Sequence, residues 1–150
     1  METKEVRSIL VIDDDPDDYE IVQEAIVDID PGIHVYYLDR CEEAAKYEGV
    51  SFDLVLLDIN MPLHDGFSWL KGIRKSGRTD LPIIMYSNSA NPDNIVRAYN
   101  DGANLYFTKP ESFTQLVKGL RKLISIDWTN PFSVTRDYCA NGKYATFQAV

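Results

Sequence analysis

The sequence predicts an α/β fold in which a parallel sheet is covered by helices on both faces. Three observations carry this expectation. Five short apolar runs recur along the chain, and each is followed by a segment with helical spacing or a helix-start signal. The runs are continuous rather than alternating, as strands buried on both faces require. The alternation of strand and helix selects a parallel sheet, because parallel neighbours need a crossover.

The elements follow in order. Ser8–Ile12 (SILVI) is β-branched and uninterrupted, and reads as a buried first strand. Asp14 and Asp15 precede Pro16, which suits the first helical turn because the N–H it lacks has no helical partner there. Val22, Ala25, Ile26 and Ile29 continue at helical spacing until Pro31-Gly32 stops the helix. Ile33–Leu38 is a second strand and Cys41–Tyr47 a short helix. Leu54–Leu57 (LVLL) is a fully apolar third strand closed by Asp58, and Phe67–Lys75 is a helix ended by Gly77. Pro82 opens the fourth strand, Ile83–Tyr86, and Asp93–Asn100 is a helix that Gly102 terminates. Leu105–Thr108 is the fifth strand. Ser112–Ser125 is the most regular helix, with Phe113, Leu116, Val117, Leu120, Leu123 and Ile124 on one stripe. Two doubly wound strand orders are common for such a chain, and right-handed crossovers limit the others.

The chain has 150 residues, with 15 Lys and Arg against 24 Asp and Glu, a net charge of −9. That length suits one domain able to bury roughly two thirds of its unfolded surface. The acidic balance argues against direct DNA binding and against an anionic membrane surface. No stretch is long and apolar enough to span a bilayer, and the N-terminus, METKEVRSILVIDDD, lacks an apolar signal core. Cys41 and Cys139 form neither a CxxC pair nor a disulfide framework. The expectation is a soluble protein of a reducing cytoplasm.

In an open α/β sheet, ligands bind beyond the carboxyl ends of the strands. There the first strand ends in Asp13, Asp14 and Asp15, the third in Asp58, the fourth in Ser87 and the fifth in Lys109. In the order 2-1-3-4-5 the first and third strands are neighbours, so Asp13, Asp14 and Asp58 would share a pocket. Two carboxylates ~5 Å apart repel by roughly 3 kcal/mol at an effective dielectric near 20. Such a group needs a cation or a retained proton. Oxygen ligands suit Mg²⁺ or Mn²⁺, and the His and Cys cluster that zinc favours is missing. A metal, a lysine and a hydroxyl around one pocket fit phosphoryl transfer, in which a carboxylate can itself be the nucleophile.

With the motifs VIDDD, LLDINMPLHDG, SNS and GANLYFTKP in this order on these strands, the sequence resembles a response-regulator receiver domain of two-component signalling. The resemblance covers about residues 6–125. It implies a flavodoxin-like (βα)5 fold of strand order 2-1-3-4-5 and a phosphorylatable Asp58. It further implies a Mg²⁺ or Mn²⁺ site built from Asp13, Asp14, Asp58 and the backbone carbonyl of Asn60. Lys109 and Ser87 stand at the family's reactive lysine and hydroxyl, and Ser87 with Tyr106 at its switch pair. Asn60 and Ser89 lie where the family tunes the lifetime of the phosphoryl group. The Lys109–Pro110 bond is usually cis in the family. The implied donor is a histidine kinase or phosphotransfer protein. The implied output is a changed surface over residues 92–125 (the fourth helix, fifth strand and fifth helix) that a downstream protein reads. Catalysis would extend only to the chain's own phosphorylation and dephosphorylation, so the expectation is a signalling protein rather than an ordinary enzyme.

Three other readings compete. A Mg²⁺-dependent phosphohydrolase of the haloacid-dehalogenase type carries an acid two residues after its nucleophile, where this chain has Asn60. A flavin carrier wants a hydroxyl- and Gly-rich phosphate loop after the first strand, where DDDPDD would repel phosphate. A binding module that works unphosphorylated would have no need of the full reactive set. Plainer roles are expected elsewhere. Asp15, Asp17 and Asp18 read as a solvated helix start favoured by the helix dipole. Gly66 supplies a helix-entry turn, Asp65 is structural, His64 is a loop residue and His34 a strand surface residue.

The receiver pattern is spent by Ser125, which gives a receiver over residues 1–125 and an extension over 126–150. The extension is too short for a DNA-binding or enzymatic output domain, so a stand-alone receiver is expected. Trp128, Phe132, Tyr138, Tyr144 and Phe147 make it richer in aromatics than disordered chains are. Asn141-Gly142 between Ser133–Ala140 and Lys143–Gln148 predicts a β-hairpin with a type I′ turn. An isolated hairpin is marginal in water, so docking is expected, on the receiver or on a second subunit in a homodimer.

Overall fold

The computed structural model describes residues 5–41, 43, 50–59, 66–140 and 142–149. Five parallel strands form the main sheet: β1 (Ser8–Ile12), β2 (His34–Leu38), β3 (Leu54–Leu57), β4 (Ile83–Ser87) and β5 (Leu105–Thr108). Their order is β2-β1-β3-β4-β5, the doubly wound order of the flavodoxin-like fold. The helices are α1 (Pro16–Ile29), α2 (Gly66–Lys75), α3 (Pro92–Asp101), α4 (Phe113–Ser125) and α5 (Pro131–Arg136). The helix expected over Cys41–Tyr47 falls mostly outside the described residues.

Strand periodicity splits the core into two layers. Ile9, Val11, Leu54, Leu56, Ile84, Leu105 and Phe107 face α1 and α4, where Val22, Ile26, Leu116 and Leu120 meet them. Leu10, Ile12, Val55, Leu57, Ile83, Met85 and Tyr106 face α2 and α3, where Phe67, Leu70, Ile95 and Tyr99 meet them. The helix ends follow local chemistry. Asp15 caps α1 by accepting from the Asp17 N–H, Asn91 caps α3 through Asp93, and Ser112 caps α4 through Gln115. Gly102 ends α3 at φ 111°, a left-handed conformation that costs other residues strain. Phe113 departs from the expected stripe: it is the first residue of α4 and 46% exposed, and the buried stripe begins at Leu116.

Register places the site. Ile12 pairs with Leu57, and the Asp58 N–H donates to the Ile12 carbonyl at 2.9 Å, so Asp13 and Asp58 leave the sheet side by side. Ser87 pairs with Thr108, and the Lys109 N–H donates to the Ser87 carbonyl at 2.8 Å. The Lys109–Pro110 bond is trans, correcting the cis bond that the resemblance implied. Trans is the ordinary preference of X–Pro bonds, by about 0.5–1 kcal/mol.

The last segment differs from a simple hairpin. Ser133–Arg136, expected as strand, lies in α5, because Pro131 fits a helical first turn after Asn130. Among the described residues the antiparallel pairing joins β6 (Cys139–Ala140) to β7 (Lys143–Tyr144), extended by the Ala145 N–H donating to the Tyr138 carbonyl at 2.8 Å, with Gly142 at φ 75°. Trp128 is buried, and its indole N–H donates to the Leu123 carbonyl at 3.0 Å. Phe147 is buried against Phe107, and its N–H donates to the Tyr106 carbonyl at 2.7 Å, covering the outer edge of β5. Among the described residues no helix is long and apolar enough to cross a membrane.

Candidate functional site

Asp13 and Asp58 end β1 and β3 at only 1% and 4% exposure, while Asp14 beside them is exposed. Carboxylate oxygens of the three lie within 4.8 Å of one another. Asp13 is held on both sides. Its Oδ1 accepts from the Asp15 N–H at 2.9 Å, and its Oδ2 from the Lys109 ammonium at 2.8 Å. Its carbonyl accepts from the Tyr37 hydroxyl at 2.8 Å, and the Tyr37 ring stacks on Tyr19 with centroids 4.5 Å apart. The Lys109 side chain is 7% exposed and lies over the Tyr86 ring. Its Nζ also donates to Asp18 Oδ2 at 2.7 Å and sits 3.6 Å from Asp58 Oδ2, an ion pair too long for a hydrogen bond. Gly66 opens α2 directly against the Asp58 backbone, where a Cβ would come 2.6 Å from the Asp58 carbonyl oxygen.

Burial pushes the Asp13 carboxyl up to about 6, against the pull of the Lys109 ammonium and the Asp15 N–H. Burial by itself would lower the Lys109 ammonium, but its bonds to Asp13 and Asp18 reverse this and hold it above the usual lysine range. Burial also raises the Tyr86 phenol. Asp13, Asp18 and Asp58 surround this one ammonium and Asp14 adjoins Asp13 and Asp58, a local excess of acid. The three clustered carboxylates offer oxygen donors only, the donor set that hard divalent cations accept, so the acidic cluster could bind a metal. Asn60, whose carbonyl the resemblance adds to the ligands, lies outside the described residues.

Ser87 is buried at the end of β4, and its Oγ accepts from the Ser89 N–H at 3.1 Å. The Ser89 carbonyl accepts from the Tyr106 hydroxyl at 2.7 Å. The Tyr106 ring is fully buried, turned inward, and burial raises its phenol. The Tyr106 N–H donates to the Tyr99 hydroxyl at 3.2 Å, which donates to the Ala145 carbonyl at 2.6 Å. Hydrogen bonds thus run from Ser87 through Ser89 and Tyr106 to residues 145 and 147.

The expected site residues among those described therefore converge at one end of the sheet, with one correction. Asp18, expected as part of a solvated helix start, is 27% exposed and bonded to Lys109. The signal was present in the sequence: Asp18 stands four residues before Val22, on the same inward stripe of α1 that carries Ala25. Asp15 and Asp17 remain exposed at the helix start.

The response regulator receiver domain family model matches residues 9–121, and the chain belongs to this family. It is 27% identical over 119 residues to the transcriptional regulatory protein PcoR of Escherichia coli, covering 79% of this chain and 52% of PcoR. The chain spans about half the length of the curated relatives it matches first. The crystal structure of the phosphorylated cyanobacterial phytochrome response regulator RcpA is similar at 28% identity and a TM-score of 0.70, covering 79% of this chain and 91% of RcpA. The Mn²⁺-bound form of response regulator Rcp1 is similar at 25% identity and a TM-score of 0.67, covering 83% and 95%.

Proposed function

We propose that this chain is a phospho-acceptor of two-component signalling, with residues 1–125 as the receiver and 126–150 as an extension. A carboxylate oxygen of Asp58 attacks the phosphorus of a phosphohistidine on a histidine kinase or phosphotransfer protein. The O–P bond forms, the N–P bond breaks, and its electron pair stays on the imidazole. The observation that carries this reading is the buried grouping of Asp58, Asp13 and Lys109 where β1 and β3 part company. Lys109 neutralises a phosphoryl oxygen, and the Ser87 hydroxyl donates to another. Asp13, Asp14, Asp58 and the Asn60 carbonyl would hold Mg²⁺ or Mn²⁺, which supplies charge neutralisation at the transferring group when bound. The phosphorylated state of RcpA and the Mn²⁺-bound state of Rcp1 support the reading by similarity.

The output is a changed surface over residues 92–125. Movement of Ser87 toward the phosphoryl group is felt at Tyr106 through Ser89. Residues 145 and 147 bond to that same stretch, so a downstream partner meets the extension together with α3, β5 and α4. The setting is the cytoplasm.

The test is intact mass after incubation with acetyl phosphate and Mg²⁺. One phosphoryl adduct is expected on the wild type, dependent on Mg²⁺ and missing from Asp58→Asn. An adduct of equal yield on Asp58→Asn would overturn the assignment.

A further inference from the structure

We infer that Asp18 is a positioning residue for this phosphoryl chemistry: it holds the Lys109 ammonium against α1 in the resting state and competes for it with a phosphoryl group on Asp58. The inference rests on the receiver reading above. An ammonium has three N–H donors. Two are used at 2.7 Å on Asp18 and at 2.8 Å on Asp13, while Asp58 stands at 3.6 Å. The resting lysine is therefore bonded to two carboxylates other than the one it is to serve.

The two bonds differ in what it takes to give them up. Asp13 is 1% exposed, and without the ammonium its charge would be buried. Asp18 is 27% exposed and borders a cleft of about 390 Å³ lined also by Tyr86, Asn88, Lys109 and Phe113. Released from Lys109, its carboxylate can take up water in that cleft. Asp18 is thus the contact that yields. Until it does, it withholds a donor from the phosphoryl oxygens, and its own charge repels the arriving anion.

The phosphoryl mimic beryllofluoride, titrated calorimetrically into the full chain with Mg²⁺, tests this. Asp18→Asn is expected to tighten the affinity by about twofold to fivefold, the scale of one partly exposed ion pair. Asp18→Glu, which keeps the charge, is expected to return it toward the wild-type value. The Lys109 ¹⁵Nζ ammonium signal is expected in the wild type, held by two short bonds, and broadened by solvent exchange in Asp18→Asn. A variant that had merely lost stability would not bind the mimic more tightly. Unchanged or weaker binding by Asp18→Asn, with Asp58→Asn still unable to bind, overturns the inference alone. Failure of the wild type to bind overturns the receiver reading and this inference with it.

Discussion

The rim of acids beyond β1 and β3 and the aromatic seam along β5 are built from opposite materials. The rim gathers three carboxylates about one ammonium, with Asp14 as a fourth acid beside them. The seam joins Phe147, Tyr138 and Tyr144 to Phe107 and Tyr99, and its hydrogen bonds are mostly to main chain. Tyr106 belongs to both, its hydroxyl reaching the rim loop and its carbonyl the seam. The comparison teaches that the clustered polar residues do not hold themselves together. They are carried to one place by strands whose stability comes from apolar packing, and part of that packing is supplied by residues beyond the receiver pattern.

Emptying the seam should have the largest effect. Phe147→Ala removes a seam ring at 2% exposure, and Trp128→Ala a ring at 1% exposure in the same extension outside the seam. Each is expected to cost about 3–5 kcal/mol in urea unfolding. A loss below about 1 kcal/mol would mean that the extension is not part of the fold's stability.

The rim should respond to cations where the seam does not. Mg²⁺ at a hundredfold excess over its dissociation constant should raise the unfolding free energy by about 2.7 kcal/mol. Asp14→Asn should lose most of that increment, while Phe147→Ala, though less stable, should keep it. If Phe147→Ala lost the increment instead, the two regions would be one coupled unit.

Gly66 tests how tightly the scaffold holds Asp58. A Cβ there meets the Asp58 carbonyl oxygen at 2.6 Å. Gly66→Ala should therefore cost about 1–3 kcal/mol and slow adduct formation on Asp58, as read by intact mass. Normal phosphorylation in a destabilised variant would separate the fit of α2 from the chemistry.

The smallest effect is expected at Tyr99, whose phenol burial holds above the usual tyrosine range. A raised folded value favours the protonated form. Its stabilising contribution is complete below the unfolded value near 10 and is lost as pH climbs through the folded one. Stability measured from pH 9 upward should fall, and fall less steeply in Tyr99→Phe. At neutral pH that substitution should cost about 1–2 kcal/mol, because it removes the bond to the Ala145 carbonyl and the acceptor of the buried Tyr106 N–H.

The sheet and its rim were legible for a shared reason. A fully buried parallel strand must be an unbroken apolar run, so SILVI, LVLL and the runs after Pro82 and Asn104 declare themselves. The residue that ends each run is then bound to stand at the ligand-bearing end of the sheet, which placed Asp13, Asp58, Ser87 and Lys109 before any contact was known. Asp18 was harder: its spacing to Val22 put it on the inward stripe of α1, but that spacing does not name the lysine 91 residues away that it faces.

Local sequence thus determined the strands, the caps at Asp15, Asn91 and Ser112, and the set of polar residue types at the strand ends, since each depends on neighbours within a few positions. Tertiary structure alone decided which carboxylates hold Lys109, the inward turn of Tyr106, and the path of residues 131–149. Pro131 made a helix where alternation suggested a strand, and Phe147 found its place against Phe107 and the edge of β5. Those outcomes depend on charges and apolar surfaces that meet only when the sheet has formed, and a sequence pattern carries the materials for such meetings but not their distances.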